Sequence, residues 1–139
     1  MRTILIAEGD PVFAEQLATE LRAGGYRVIT CPGPWPPAER CIRCDTGWCP
    51  LTEGADLLLY NPELTALDAS GRRYNLAIDS AQAHPELPML LAWPAGGEPD
   101  PLTVHQVRAA VPNAQVAALQ SAALLRQIGE LLAPTTVAR

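Results

Sequence analysis

Apolar positions along the chain follow two different periods in turn. Thr3-Ile4-Leu5-Ile6-Ala7 is a continuous apolar run, the mark of a strand buried on both faces. From Pro11 the spacing changes, because Phe13, Leu17 and Leu21 recur every four residues and so share one helix face. Asp10 before Pro11 is a helix start: an N-cap acceptor, then a residue with no N–H to lose. Gly24-Gly25 ends that helix, and Tyr26-Arg27-Val28-Ile29-Thr30 predicts a second strand running into Cys31. The pattern then collapses, and nothing as far as about Gly54 reads as regular structure.

Order returns at Leu57-Leu58-Leu59-Tyr60, a short buried strand introduced by Asp56 and stopped by Asn61-Pro62. A helix is expected over 74–84, with Tyr74, Ala77, Ile78 and Ala81 as its inner stripe. Pro88 to Trp93 predicts a fourth strand, 94–101 a loop, and Val104, Val107 and Val111 the inner face of the next helix. A fifth strand over Ala114 to Leu119 leads to a last helix capped by Ser121, with Leu124, Leu125, Ile128, Leu131 and Leu132 inward. Five short apolar strands alternating with amphipathic helices imply right-handed crossovers and a parallel sheet covered on both faces. The expectation is a flavodoxin-like α/β fold of five strand–helix units, strand order 2-1-3-4-5, over residues 1–133. In it a cysteine-rich loop, residues 31–54, replaces the crossover between strands two and three, and 134–139 form a flexible tail.

Composition narrows the function classes. At 139 residues one domain accounts for the chain. A net charge of −5 and no basic stripe argue against direct nucleic-acid binding. No stretch approaches the roughly 20 apolar residues that span a bilayer, so the expected location is the cytoplasm, off the membrane. All ten Lys and Arg positions are arginine, which excludes any mechanism needing a lysine. There is no G-x-x-x-x-G-K-[ST] loop, no G-x-G-x-x-G after a strand and no G-x-S-x-G elbow, and an enzyme is not expected. His84 and His105 read as surface or capping residues.

The run Ile4-Leu5-Ile6-Ala7-Glu8-Gly9-Asp10-Pro11, with a helix ending in Gly25-Tyr26-Arg27-Val28, resembles the opening of a response-regulator receiver domain. Asp56 to Asn61 and His84 to Leu91 resemble that family's third and fourth strands. The resemblance implies an acidic pair holding Mg²⁺, an aspartate that accepts a phosphoryl group, and a threonine or serine and a lysine that read out the change. Phosphoryl transfer needs an anionic nucleophile, with a metal and a cation to stabilise developing charge. Here the acidic pair becomes Glu8 and Gly9, with Asp10 nearby; the acceptor position is Asn61; the hydroxyl position is Trp93; and the lysine position is Ala117. The chain therefore reads as a pseudo-receiver, a non-phosphorylatable module of two-component-type signal transduction. It would bind another signalling protein or a second copy of itself. The plain alternative is a flavodoxin-like scaffold whose strand ends carry whatever packing tolerates. Glu8, Asp10 and Asn61 could form no more than a weak oxygen site for a cation.

All four cysteines fall in one segment, Cys31-x9-Cys41-x2-Cys44-x4-Cys49. In a cytosolic protein such clustering points to a metal before a disulfide, and four thiolates close a tetrahedral structural zinc site. Pro32, Pro34, Pro36, Pro37 and Pro50 deny the segment a helix, and beyond Trp35 and Trp48 it has little to bury, so something else must order it. Arg40 and Arg43 would offset the charge of the centre. An iron–sulfur cluster is the second choice, its spacing matching neither ferredoxin pattern, and disulfides, free thiols or redox switching at Cys41 and Cys44 come after it. The alternative function is thus a metal or redox sensor. Trp35, Trp48 and Trp93 are also candidates for an aromatic partner patch.

Overall fold

A computed structural model describes residues 1–34, 41 and 49–133. The apolar runs become the sheet. β1 (Thr3–Ala7) and β3 (Leu57–Tyr60) are buried along their whole length. β1 pairs in parallel with β2 (Arg27–Cys31), from Thr3 opposite Arg27 to Ala7 opposite Cys31, and on its other side with β3. β3 pairs in parallel with β6 (Met89–Leu91), and β6 with β7 (Gln115–Val116). The order β2-β1-β3-β6-β7 is the expected flavodoxin-like one once a small hairpin, β4 (Thr65–Leu67) and β5 (Arg73–Asn75), is counted.

Period-two alternation divides each central strand between two cores. Ile4, Ile6, Leu57, Leu59 and Leu90 face α1 (Pro11–Ala23) and α5 (Ser121–Leu132), where Leu17, Leu21, Leu124 and Ile128 close the layer. Leu5, Leu58, Tyr60, Met89 and Leu91 face the other way, against Leu76 and Ala77 of α3 (Leu76–Ala83) and Val107 of α4 (Pro101–Ala110). This is why the runs read as continuous: each side chain has a helix to bury it. The edge strands β2 and β7 are only partly covered.

Caps explain most helix starts. Asp10 accepts from the backbone N–H groups of Val12 at 3.0 Å and Phe13 at 3.2 Å, Asn75 from Ile78 at 3.1 Å, and Asp100 from Leu102 at 2.9 Å. Three expectations about helices are corrected. The cap of α5 is Gln120, with no side-chain bond, and Ser121 is the first helical residue. The helix expected over 74–84 starts only at Leu76, because Tyr74 lies in β5 (Arg73–Asn75), which pairs antiparallel with β4 (Thr65–Leu67). The segment expected to stay irregular as far as Gly54 ends in one helical turn, α2 (Pro50–Glu53), started by a proline at its first position. The fourth and fifth strands are also shorter than expected, three and two residues. Among the described residues no helix is long and apolar enough to cross a membrane.

Candidate functional site

The carboxyl ends of β1 and β3 bring Glu8, Asp10 and Asn61 together, although Glu8 and Asn61 lie 53 residues apart. The backbone N–H of Asn61 bonds the Ala7 carbonyl at 2.9 Å, and that of Glu8 bonds the Cys31 carbonyl at 3.0 Å, so the sheet ladder itself fixes the two residues. Glu8 is 5% exposed. Its carboxylate accepts from Asn61 Nδ2 at 3.0 Å on Oε2 and 3.4 Å on Oε1, and Oε1 also accepts the Asp10 N–H at 3.0 Å. Asn61 Oδ1 accepts the Glu63 N–H at 2.9 Å. This pattern sets the orientation of the amide, since a flipped amide would put its oxygen against the carboxylate and its NH₂ against an N–H.

The arrangement satisfies a buried carboxylate without a cation. The magnesium site that the receiver resemblance implies does not fit these residues. Asn61 presents donors where a cation needs oxygens, and one Asp10 carboxylate oxygen caps α1. Asn61 also lacks the anionic oxygen that would attack phosphorus. Trp93, just beyond β6, is half-buried, packs against the second core and lines a cleft with Asp10 and Ala117.

The cysteine segment adjoins this site through one residue, since Cys31 ends β2 and its carbonyl holds Glu8. Cys31, Cys41 and Cys49 are free thiols and half-buried. Burial pushes the Cys31 thiol above its ordinary range, the Gly33 backbone N–H pulls it back, and charge on Cys41 and then Cys49 would raise it further. Cys41 and Cys49 thus lie within electrostatic reach of Cys31. Among the described residues no three His, Cys, Asp or Glu side chains are arranged to hold a metal ion. Cys44, with Trp35, Arg40, Arg43 and Trp48, lies outside the described residues.

His84, read from the sequence as a surface or capping residue, is the C-cap of α3. It donates its N–H to Ser80 O at 3.0 Å, and sets its ring 3.7 Å from Glu53 of α2 and 3.4 Å from Glu86. His105 is an exposed residue of α4.

No protein-family model matches the chain, and no curated protein matches it. Solved structures do. The signal receiver domain of an HD domain-containing protein from Pseudomonas fluorescens Pf-5 superposes with a TM-score of 0.66 at 16% identity, covering 94% of each chain. A CheY-like response regulator receiver domain protein from Methanospirillum hungatei JF-1 gives 0.65 at 16% identity, covering 95% of this chain and 94% of its own. A proposed pilus assembly-related protein from Burkholderia pseudomallei K96243 gives 0.62 at 22% identity, covering 95% and 90%. The chain therefore has the receiver fold.

Proposed function

We propose that this protein is a pseudo-receiver: a non-enzymatic signalling module that keeps the receiver scaffold and acts by binding a protein partner. The observation that carries this reading is the Asn61 amide bonded to both oxygens of Glu8, which turns the acceptor position into a hydrogen-bond donor and closes the oxygen site. The absence of lysine from the chain and the ring of Trp93 at the hydroxyl position point the same way. The test is incubation with acetyl phosphate, or with beryllofluoride, in millimolar Mg²⁺. Intact mass and the amide spectrum should not change, and an added phosphoryl group would sink the reading.

In the same proposal Cys31, Cys41, Cys44 and Cys49 hold a structural zinc ion that orders the segment between β2 and α2. Four thiolates on a proline-rich stretch with few apolar side chains support it. Elemental analysis of anaerobically purified protein should return one zinc per chain and a colourless solution. Iron with sulfide would establish the alternative, a sensor built on an iron–sulfur cluster. The half-buried free thiols at the edge of the domain favour a second reading, in which gain or loss of the metal is itself the signal. A sensor releases its metal to mild chelation, whereas a structural site retains it.

A further inference from the structure

The sheet ends in two edge strands, β2 and β7, and an edge strand offers its outward backbone groups to any other strand. The two edges are protected differently. β2 begins at the exposed Arg27 and is followed at once by Pro32, a charge and a proline of the kind that blunt an edge. β7 has neither, since the chain carries no charged residue between Arg108 and Arg126, and Val116 is 40% exposed. A side chain meets its outward groups instead. Ala117 donates its N–H to the Leu91 carbonyl at 2.8 Å, so Ala117 faces β6 while Val116 and Ala118 turn their backbone groups outward. Gln127 of α5 reaches both: its Nε2 donates to the Val116 carbonyl at 3.0 Å, and its Oε1 accepts the Ala118 N–H at 2.9 Å. Nε2 also donates to Gln115 Oε1 at 3.1 Å. A flipped amide would set oxygen against oxygen at Val116 and NH₂ against N–H at Ala118, so the backbone fixes its orientation. One residue of a sixth parallel strand would make the same two backbone bonds, donating to Val116 and accepting from Ala118.

We propose that Gln127 guards this edge: its carboxamide stands where a sixth strand would begin, and it keeps β7 of one molecule from pairing with β7 of a second copy. The excluded partner follows from the strand itself. An antiparallel copy centred on Ala117 sets Val116 of each molecule opposite Ala118 of the other, and each such pair exchanges both of its N–H···O bonds. No charge on either strand opposes that approach, and no proline interrupts the run from Asn113 to Leu125. The segment therefore has the composition of a pairing edge, and the two bonds from Gln127 withhold the groups that pairing would use.

Gln127→Ala in the full chain tests this, since alanine keeps α5 helical at a position that is only half-buried. Sedimentation equilibrium should show the variant associating as its concentration rises, with a dissociation constant at least tenfold below the parent's. The amide signals of Gln115 to Ala118 should shift over the same range while those of β1 and β3 stay in place, which also shows that the variant is folded. In dilute variant the Ala118 N–H, stripped of its acceptor, should exchange with solvent at least tenfold faster than in the parent. Adding Val116→Lys to Gln127→Ala sets like charges on the facing strands and should return association to the parent's level. Association no stronger than the parent's, shifts centred elsewhere, unchanged exchange at Ala118, or association indifferent to Val116→Lys overturns the proposal.

Discussion

At the scale of single residues, the chemistry turns on one amide. A buried carboxylate with N–H partners is a stable arrangement, whereas two facing carboxylates about 3 Å apart are not, because one must then take up a proton or a cation. Asn61→Asp is therefore expected to lower stability at neutral pH by about 1–3 kcal/mol. The loss should shrink as the pH falls and one carboxyl becomes protonated, and millimolar Mg²⁺ or Ca²⁺ should restore part of it. Urea unfolding with and without the cation measures both. A variant as stable as the parent and indifferent to cations would mean that the bond between Asn61 and Glu8 contributes nothing. The positions of Glu8 and Asn61 were legible in the sequence, because each directly follows an apolar run whose end is a strand end. The bond between them was not, because it depends on the register of two strands distant in sequence. Cys31 was legible as a thiol in a cluster, but its place one ladder bond from Glu8 emerges only from the pairing of β1 with β2.

At the scale of elements, two glycines separate packing from propensity. A Cβ on Gly24 would sit 2.5 Å from Leu125 Cδ2 and 3.3 Å from the Leu21 carbonyl, where α5 crosses the end of α1. Its φ of −78° is ordinary, so Gly24→Ala carries no backbone strain, and the half-buried Leu125 side chain must turn aside, which should cost about 0.5–1.5 kcal/mol. Gly129 lies in the exposed interior of α5 with nothing within 4 Å of the added atom, and Gly129→Ala should raise stability by about 0.5–1 kcal/mol. Opposite shifts in the denaturant midpoint check the pair. The β4–β5 hairpin turns on Asp68, which accepts from the Ser70 N–H and hydroxyl, the Arg72 N–H and the Tyr74 hydroxyl. These bonds favour the ionised form and lower its pKa to about 2, the Ser70 hydroxyl first. A depressed carboxyl stabilises above its unfolded pKa and loses that support as the pH falls through the folded one. The amide signals of Ser70 and Arg72 should thus hold through pH 4 and move only near about 2. A midpoint near 4 would show that the turn is not held by these bonds. Long periodic helices and five-residue strands were legible in the sequence, but this hairpin was not. Three-residue strands carry too little alternation to signal themselves, and Tyr74 sits where the following helix's apolar stripe can absorb it.

At the scale of the molecule, the cysteine segment borders the least covered main strand on its side of the sheet. β2 is an edge strand with exposed and half-buried positions, while β1 and β3 beside it are fully buried. Cys31, Cys41 and Leu51 pack against the second core only partly. Among the described residues, the fully buried apolar side chains of both cores lie outside residues 31–54, so a metal held as proposed would stabilise an edge of the domain. A ligand bound to the folded state alone at a thousand times its dissociation constant contributes about 4 kcal/mol, and a domain of this size gains about 2–4 °C per kcal/mol. Removing zinc with a chelator should accordingly lower the melting temperature by roughly 10 °C while leaving a cooperative transition. Hydrogen exchange should then quicken at the Glu8 N–H, whose acceptor is the Cys31 carbonyl, and along β2 and α2, before it does so in β3 and β6. Cys44→Ser should reproduce the shift without the chelator, as should each of the other three cysteines changed in turn. A melting temperature unmoved by chelation in protein shown to hold zinc would place that metal outside these four thiolates, and exchange quickening equally in every strand would mean that the segment is part of the central core.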